Sequence, residues 1–404
     1  MTTTVNNEHK NIKVPNLRFK EFQGKWNMCK LGDIAIVVGG GTPDTNTSQY
    51  WNGKIQWFTP SEIGRNKYVD NSVRTISEEG LNKSSAKLLP IGTILLSSRA
   101  TVGECSINKK ECTTNQGFQS LIPKENISNE FVYYLIQTKR KDLIRKSCGS
   151  TFLEISANEV RKIVISIPTI KEQDKIANVL SFLDERIATQ NKIIEDLKKL
   201  KSAISKHLFS RKDLLETTIR LADIAALKNG YAFQSSKYDT KGKWKILTIA
   251  NVSGERYIND DDCNCIINLP NDIQGHQVLK EGDILISLTG NVGRVSLCKA
   301  GNILLNQRVG LLCITKNVNQ EFLYQVLSSR RFENSMVACG QGAAQMNIGK
   351  GDVENFVLPY SSNANNIHLV ARILHSYDEC IINEQQELTL LTMQKQYLLD
   401  QMFI

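Results

Sequence analysis

The chain has 404 residues, of which 41% are hydrophobic and 23% charged, so it can form two or three globular cores. This composition excludes an intrinsically disordered or fibrous protein. The formal net charge of +9 favours a polyanionic partner such as nucleic acid, although solubility alone is an alternative explanation. The N-terminus has no secretory signal, and no apolar stretch approaches the roughly 18 residues of a membrane span, so we expect a cytoplasmic protein.

The first 28 residues are predicted to form an N-terminal arm. A polar leader opens it, and a segment over residues 14–22 with a Val-Pro-Asn-Leu-Arg-Phe start follows. We expect Leu17, Phe19 and Phe22 to pack onto a neighbouring surface.

Residues 29–168 alternate short β-rich runs with turns and are predicted to form a first mixed α+β domain. A helix is expected near residues 130–145. Strands are expected near residues 34–38, 55–58, 93–96 and 163–167. The glycine-rich segment 39–41 lacks the later glycine spacing of a dinucleotide-binding loop, so we interpret it as a turn.

A long helix is predicted over residues 169–210. Thr169 and Glu172 form a capping-box pattern, and no proline occurs between positions 169 and 269. Alternating steps of four and three residues then give a heptad seam in which eight of ten positions are apolar. The seam positions are Ile176, Leu180, Leu183, Ile187, Gln190, Ile194, Leu197, Lys201, Ile204 and Leu208.

Residues 211–360 repeat the pattern of the first domain at a shift of about 190 residues. Residues 31–35, Leu-Gly-Asp-Ile-Ala, return at 221–225 as Leu-Ala-Asp-Ile-Ala, and a second helix is expected near residues 320–333. Because a repeat of this length equals a whole domain, it indicates a duplication rather than a solenoid.

The predicted segment 361–404 is a second long helix, and the seam returns in it with eight of ten positions apolar. Its positions are Val370, Leu374, Tyr377, Ile381, Glu384, Leu388, Leu391, Lys395, Leu398 and Met402. Each seam is about 48 Å long at about 1.5 Å per residue, longer than a domain of this size needs for its own core. We therefore expect the two helices to pair as an antiparallel coiled coil that separates two mixed α/β domains, because a parallel pairing suits the long intervening domain less well. Four polar seam residues are expected to weaken the seam and fix its register: Gln190, Lys201, Glu384 and Lys395.

Catalytic and cofactor signatures are scarce. The sequence has no G-x-x-x-x-G-K-[ST] phosphate loop and no Asn-Pro-Pro-aromatic tetrapeptide. Candidate nuclease carboxylates at Asp44, Asp196 and Asp239 fall in unrelated segments. The ten cysteines are expected to be buried free thiols without zinc spacing. We expect no catalytic residue, no metal and no cofactor in this chain.

Polar residues in the predicted loops are suited to reading DNA. Arg side chains match guanine, and Asn or Gln side chains match adenine, whereas the alternative is that these residues form ordinary turns. Positions alike in both domains, such as Asn115 and Asn306, are expected to set backbone geometry, and polar positions that differ are expected to select bases. The candidate DNA-binding residues are Ser98, Arg99, Thr101, Gln116, Gln119, Thr289, Asn291, Arg294, Gln307 and Arg308.

In their order and duplication, these features resemble the specificity subunit of type I restriction–modification enzymes over nearly the whole chain. The resemblance is carried by residues 14–19, 30–34, 103, 115–117 and 168–184. It implies two target-recognition domains that each read half of a bipartite DNA sequence, and helices that set the spacing and bind two methyltransferase subunits. It further implies that a translocating endonuclease subunit joins for cleavage, and that S-adenosylmethionine, ATP and Mg²⁺ are used by these partners.

The resemblance also places the candidate subunit interface on the long helices. The residues concerned are Glu172, Gln173, Asp184, Glu185, Asp378 and Glu379. The second helix has Asn366 and Ile367 where the first has Glu172 and Gln173, so the two docking surfaces need not be equal. Two alternatives stay open: a coiled-coil scaffold with two protein-binding modules, and a self-contained DNA nuclease or methyltransferase.

Overall fold

The computed structural model describes residues 14–149, 153–340 and 346–404, so the first 13 residues of the predicted arm lie outside it. The chain divides into two compact units, the first formed by Met1–Thr189 with Leu388–Ile404 and the second by Gln190–Glu387. The units differ from the predicted segments because each contains part of both long helices.

The strands of the first unit are short and follow the β-rich runs of the sequence. They are β1 (Asn27–Lys30), β2 (Ala35–Gly39), β3 (Trp51–Phe58), β4 (Tyr68–Val69), β5 (Arg74–Ile76), β6 (Ile94–Leu96), β7 (Cys105–Asn108), β8 (Cys112–Thr114), β9 (Gln119–Pro123) and β10 (Val164–Ile167). The helices are α1 (Leu31–Ile34), α2 (Glu78–Asn82), α3 (Asn129–Thr138), α4 (Arg140–Arg145), α5 (Ala157–Arg161) and the first part of α6 (Ile170–Ser210). The helix expected near residues 130–145 is thus two helices, with Lys139 between them.

Three sheets organise the first unit. The largest has the strand order β2-β9-β6-β7-β4, a second has the order β5-β3-β8, and β1 pairs with β10. Its main core cluster combines these strands with α3 and with both long helices, since Phe131, Leu180 and Met402 belong to the same buried group. The first domain is therefore packed directly onto the helix segments of its own unit.

The second unit repeats this arrangement. Its strands are β11 (Thr217–Arg220), β12 (Ala225–Asn229), β13 (Trp244–Leu247), β14 (Asn264–Ile266), β15 (Ile284–Ser287), β16 (Val295–Leu297), β17 (Ile303–Leu305), β18 (Val309–Ile314) and β19 (Val357–Tyr360). Its helices are α7 (Gln320–Leu327), α8 (Arg330–Cys339), α9 (Lys350–Glu354) and the first part of α10 (Ala364–Met402).

The sheet topology of the second unit matches that of the first, except that a single bridge between Tyr257 and Leu297 takes the place of strand β4. The strand orders are β12-β18-β15-β16 and β14-β13-β17, and β11 pairs with β19. Strand β13 runs parallel to β17 as β3 runs parallel to β8. The expectation of two mixed α+β domains related by duplication is confirmed.

The two long helices are antiparallel within each unit. In the second unit, Gln190 Nε2 donates to the backbone oxygen of Glu384 at 3.0 Å. In the first unit, Lys395 Nζ lies 2.7 Å from Asp184 Oδ1. Every predicted seam position is buried or half-buried, so the seam and its direction are confirmed, while the supercoil expected of a coiled coil stays a prediction.

The start of α6 agrees with the prediction, but the role of Glu172 differs. The backbone N–H of Glu172 donates to the carbonyl of Thr169 at 3.0 Å. Its carboxylate instead receives a bidentate bond from Arg18, at 2.7 and 2.8 Å, and a bond from the Trp26 indole at 3.2 Å. A charged arm residue therefore competes successfully for the carboxylate, since a bidentate guanidinium bond is stronger than a bond from a neutral amide.

The arm docks through polar bonds more than through the expected apolar residues. Phe19 packs against the core of the first unit, whereas Leu17 is 41% exposed and is held by its backbone N–H, which donates to Gln401 O at 2.9 Å. Leu17 therefore departs from the expectation, whereas Phe19 and Phe22 are half-buried and contact each other.

The cysteines also differ in part from expectation. Cys105, Cys112 and Cys298 are buried in strands or beside them, but Cys148, Cys339 and Cys380 are exposed. All ten are free thiols. Within the described ranges, none of the helices combines the length and apolar character needed to cross a bilayer.

Candidate nucleic-acid interface

The loop between β6 and β7 is held in a tight turn that directs two polar side chains outward. The backbone N–H of Ser97 donates to Glu104 O at 2.8 Å, and that of Gly103 donates back to Ser97 O at 3.1 Å. The Ser97 hydroxyl donates to the carbonyl of Arg99 at 2.9 Å. With its backbone bonds satisfied internally, the loop exposes Arg99 and Thr101.

A second loop, between β8 and β9, lies against the first. Asn115 Oδ1 accepts from the backbone N–H of Gly117 at 2.8 Å, which forms an Asx turn. The carbonyl of Gly117 in turn accepts from the Ser98 N–H at 2.8 Å. Gln116 is exposed at the tip of this turn and bonds to the hydroxyl of Thr42.

A third segment, just before α5, completes the surface. The backbone N–H of Ile155 donates to Ser98 O at 3.0 Å, and Glu154 Oε1 lies 2.8 Å from Arg99 Nε. Gly41 N–H donates to the carbonyl of Thr114 at 2.8 Å. These contacts place residues 41–42, 98–101, 115–117 and 153–155 side by side. We call this surface the first loop strip.

The second unit builds the same surface with the same backbone bonds. Ser287 N–H donates to Arg294 O at 2.9 Å, Leu288 N–H donates to Arg308 O at 3.1 Å, and Ile348 N–H donates to Leu288 O at 2.9 Å. The corresponding segments are residues 229–231, 288–291, 306–308 and 346–350. We call this surface the second loop strip.

Positions shared by the two domains set the backbone, as expected. Asn306 Oδ1 accepts from the Arg308 N–H at 3.2 Å and so repeats the Asx turn of Asn115. Gly103 and Gly293 both have positive φ angles, 89° and 76°, and a Cβ at either would come within 2.7 Å of a side-chain carbon on the facing helix. Only glycine meets both requirements, because it lacks a Cβ.

The second loop strip contains a polar cleft of about 280 Å³. It is lined by Asn229, Leu288, Thr289, Gln307, Arg308, Asn347, Ile348, Gly349 and Lys350. Two of these side chains are cationic and three are exposed amides that can donate or accept at a base edge, which is the combination expected for contact with both phosphates and bases.

The structure exposes most of the predicted DNA-binding residues. Exposed members are Arg99, Thr101, Gln116, Asn291, Gln307 and Arg308, and half-buried members are Gln119, Thr289 and Arg294. Ser98 is fully buried and contributes its backbone to the loop strip, so its hydroxyl cannot reach a base edge in this structure. Base contact by the other nine stays a prediction.

The half-buried candidates differ from the exposed ones in the contacts of their polar atoms. The Oε1 atom of Gln119 and the hydroxyl of Thr289 are buried without a hydrogen-bond partner. Arg294 lies 3.9 Å from Glu333 Oε1 at the edge of the second loop strip. Unsatisfied buried polar atoms are costly, but Ser98 Oγ is also buried without a partner, so this feature does not by itself mark Gln119 and Thr289 as base contacts.

Sequence reasoning missed part of the cleft. Asn229, Asn347 and Lys350 line it together with the predicted residues. Asn229 could have been found, because it precedes Gly230 in the second domain as Gly39 precedes Gly40 in the first. Nothing in the sequence indicates Lys350. It is the first residue of a short helix, and its proximity to Arg308 depends on the fold.

The six predicted subunit-interface residues fall into three groups. Asp184 is half-buried and pairs with Lys395 at 2.7 Å. Glu172, Gln173 and Asp378 are buried at 1%, 1% and 6% exposure and bond within the chain, so they hold its own elements together in this structure. Glu185 and Glu379 are exposed, and the interface role stays a prediction that they can fulfil.

The carboxylates considered for a nuclease site are Asp44 in the first unit and Asp196 and Asp239 in the second. Asp44 accepts bonds from the Asn46 N–H at 3.1 Å and the Thr47 hydroxyl at 3.0 Å, which lower its pKa. Asp196 lies on α6, in the other unit. Among the described residues, no group of three or more His, Cys, Asp or Glu side chains is arranged to hold a metal ion.

Comparison with known proteins assigns the family. A family model described as the type I restriction modification DNA specificity domain matches residues 23–199 and again residues 216–393. The chain belongs to this specificity-domain family. The resemblance inferred from the sequence is thereby confirmed, and the two matched ranges reproduce the duplication.

Curated relatives carry the same designation. The chain is 39% identical over 188 residues to the type I restriction enzyme MjaIX specificity subunit of Methanocaldococcus jannaschii, an alignment that covers 46% of this chain and 44% of that protein. It is 34% identical to the EcoR124I/EcoR124II specificity subunit of Escherichia coli, covering 42% and 43% of the two chains. These two alignments therefore span less than half of each relative. A longer alignment, 24% identical, covers 84% of both this chain and the M. jannaschii MjaVIII specificity subunit.

Solved structures share the fold of this specificity-domain protein. The S subunit of a type I restriction–modification system from M. genitalium superposes with a TM-score of 0.55 at 18% identity, covering 97% of this chain and 99% of that one. A chain from a structural study of complex assembly and conformational transition of the type I R-M system gives 0.56 at 17% identity, covering 93% and 96%. The fold prediction is confirmed over nearly the whole chain.

Proposed function

We propose that this chain is the DNA-specificity subunit of a type I restriction–modification complex, in which each domain reads one half of a bipartite target. The observation that carries the proposal is the pair of loop strips. They have the same backbone bonds but differ in the side chains that they carry: Arg99 is exposed where Thr289 is half-buried, and Arg308 is exposed where Gly117 has no side chain. Identical frames with different exposed donors are suited to reading two different sequences.

Charge and relatives support the same proposal. The net charge of +9 favours binding to a phosphate backbone, and the relatives named above are all specificity subunits. This chain is then non-catalytic. The donor S-adenosylmethionine, ATP and Mg²⁺ would be used by partner subunits.

The decisive test is selection from a random duplex library by the chain together with its methyltransferase partner. We expect a bipartite consensus, and recovery of no preferred sequence would refute the proposal. Arg308→Ala should relax one base position in one half-site, with a loss of about 1–3 kcal/mol if the guanidinium reads a guanine. Arg220→Ala, an exposed arginine of the same unit outside the second loop strip, is the matched control and should leave the consensus unchanged.

The partner subunits are proposed to dock on the long helices. In the first unit, Leu390, Met393 and Tyr397 are 60–63% exposed and share one face of α10, because they are three and four residues apart. Phe182 on α6 is 65% exposed in the same unit. An apolar helix face of this kind is typical of an interaction surface rather than of a solvated helix.

The corresponding face of the second unit is less apolar, although Ile193 and Leu200 on it are 39% and 47% exposed. Its residues at equivalent positions of the repeat are Ser376, Asp196, Lys199 and Ala203. We therefore propose that the two docking sites differ in strength. Titration of the chain with the methyltransferase subunit should resolve two affinities, and Met393→Glu should weaken only the tighter one. Equal affinities for two sites would refute the inequality.

A further inference from the structure

A buried charge cluster joins the second domain to both long helices of its unit. Arg256 Nη2 lies 2.6 Å from Glu321 Oε2 on α7, and Arg256 Nη1 lies 3.0 Å from Asp378 Oδ2 on α10. Lys201 Nζ on α6 lies 2.5 Å from the other oxygen of Asp378. Gln325 Nε2 completes the shell of Asp378 at 2.6 Å. One carboxylate thus connects the domain, α6 and α10.

A corresponding cluster occurs in the first unit. Lys67 Nζ lies 2.9 Å from Glu130 Oε2 on α3 and 2.8 Å from the Ser181 hydroxyl on α6. Asp184 on α6 accepts from the Tyr134 hydroxyl at 2.6 Å and pairs with Lys395 on α10 at 2.7 Å. The domain is again tied to both helices.

The two clusters occupy equivalent positions of the duplicated chain. The equivalent pairs are Lys67 with Arg256, Glu130 with Glu321, Asp184 with Asp378, and Lys395 with Lys201. The clusters differ in how the cation is connected. Arg256 bonds directly to the helix aspartate, whereas Lys67 bonds to Ser181 and leaves Asp184 to Tyr134.

Because these charged side chains are buried, their contacts favour one orientation of the domain more than they add to the stability of the fold. The side chains of Arg256 and Asp378 are only 7% and 8% exposed. Burial would raise the pKa of Glu321, but hydrogen bonds from Arg256 and Gln325 outweigh it and hold that pKa below its usual value. The cost of removing two charges from water offsets most of their attraction, so a buried cluster gives little net stability. Its bonds are nevertheless formed in a single arrangement of the partners, and any other arrangement leaves a buried charge unpaired.

We propose that these clusters are positioning residues that fix the orientation of each recognition domain on its helix pair, and thereby restrict the gap between half-sites that the protein accepts. The inference rests on the proposed DNA-specificity function. The second cluster should restrict the gap more strongly, because Arg256 connects both carboxylates whereas Lys67 contacts only one of the equivalent pair.

The test uses the double variant Arg256→Met with Glu321→Gln in the full chain bound to its methyltransferase partner. Selection is made from a library in which the two wild-type half-sites flank gaps of varied length. We expect the wild type to select one gap. In the variant, the preference for that gap over its neighbours should fall by about tenfold, while both half-site sequences stay unchanged. A change in gap without a change in sequence is a readout that mere destabilisation would not produce.

The matched control is Lys198→Met with Glu255→Gln. This pair also joins α6 to the second domain, at 2.6 Å, but its side chains are 42% and 48% exposed. Exposed pairs of this kind contribute little, so the gap preference should be retained. If the double variant does not fold, as judged by its circular dichroism, Lys201→Met removes only one partner of Asp378 and provides the same readout.

The two proposals fail in different ways. A wild-type complex that selects no sequence would refute the DNA-specificity function. A wild-type complex that selects a bipartite site, together with folded variants that keep the same gap preference, would overturn only the positioning role. Broadening of the gap preference by the exposed control to the same extent would also overturn it.

Discussion

Reciprocal substitutions at Ala100 and Gly290 test whether the two reading loops share one backbone frame. Both residues lie in the left-handed region, with φ angles of 57° and 70°, and both occupy the same position of their loop. A non-glycine residue in that conformation costs about 1–2 kcal/mol. Ala100 therefore carries a strain that Gly290 avoids.

The expected effects follow from two opposing contributions. A Cβ added at Gly290 would meet only Ile249 Cδ1 at 3.5 Å, an ordinary contact, so sterics add nothing. In Gly290→Ala, the strain of the left-handed conformation lowers the free energy of unfolding. The less flexible unfolded chain raises it by about 0.4–1 kcal/mol. The net result is a destabilisation of about 0.5–1 kcal/mol. Ala100→Gly reverses both contributions and should stabilise by a similar amount.

Equilibrium urea unfolding of the full chain, followed by circular dichroism, measures both variants. With a slope of about 2 kcal/mol/M, the midpoints should move by about 0.25–0.5 M in opposite directions. Shifts of the same sign, or a loss of stability in Ala100→Gly, would refute the shared frame. Ala222→Gly, in a turn of the second unit outside the loop strips, controls for the general effect of an added glycine.

Three further predictions test other parts of the structure. Gly293→Ala should lower the free energy of unfolding by about 2–4 kcal/mol, because a positive φ angle and a 2.7 Å clash combine. Gly254→Ala, with a positive φ angle but no atom closer than 3.7 Å, should lower it by about 1 kcal/mol. Equal losses of stability in urea unfolding would contradict this. The pKa of Glu216 is lowered to about 2 by hydrogen bonds from the serines that precede α10, so its contribution to stability is present above about pH 4.5 and is lost as the pH falls towards 2. Glu216→Gln should remove that part of the acid dependence, and an unchanged profile of unfolding midpoint against pH would exclude it. Replacing Gln190 and Glu384 together by Leu should leave the helix pair as stable or stabilise it by about 1–4 kcal/mol, and a loss in thermal unfolding would show that this polar pair is a net source of stability.

Periodic and duplicated features could be predicted from the sequence. The heptad seam predicted both long helices and the burial of their facing positions, because a helix has a fixed periodicity and a long apolar stripe must be covered. The duplication predicted that Asn115 and Asn306 serve the backbone. Each in fact accepts from the N–H two residues later. Features of this kind depend on local backbone geometry, which can be predicted from the spacing of residues along the sequence.

Features that depend on three-dimensional proximity could not be predicted. The Glu172 carboxylate looked like a helix cap but is bonded by Arg18, 154 residues away. Ser98 looked like a loop donor but is buried, because two other segments, at Gly117 and Ile155, bond to its backbone. In both cases the residue type was recognised correctly, and the partner that decided its role lay in a distant part of the chain.

The charge clusters are a further feature that could not be predicted from the sequence, although both halves of the duplicated chain contain one. Lys67 and Arg256 differ in residue type, and although Tyr68 and Tyr257 follow them in both halves, the sequence alone does not show that either cation is buried against a carboxylate. Their carboxylate partners are Glu130 and Glu321, and each pair spans more than 60 residues of sequence. The same arrangement has therefore been retained in both units with a different cation in each. Retention of a buried ionic contact despite a change of side chain is difficult to explain by stability, which an apolar replacement would serve as well. It is explained if the contact restricts the angle at which a domain meets its helices, since that requirement is common to both halves even though they present different side chains to DNA.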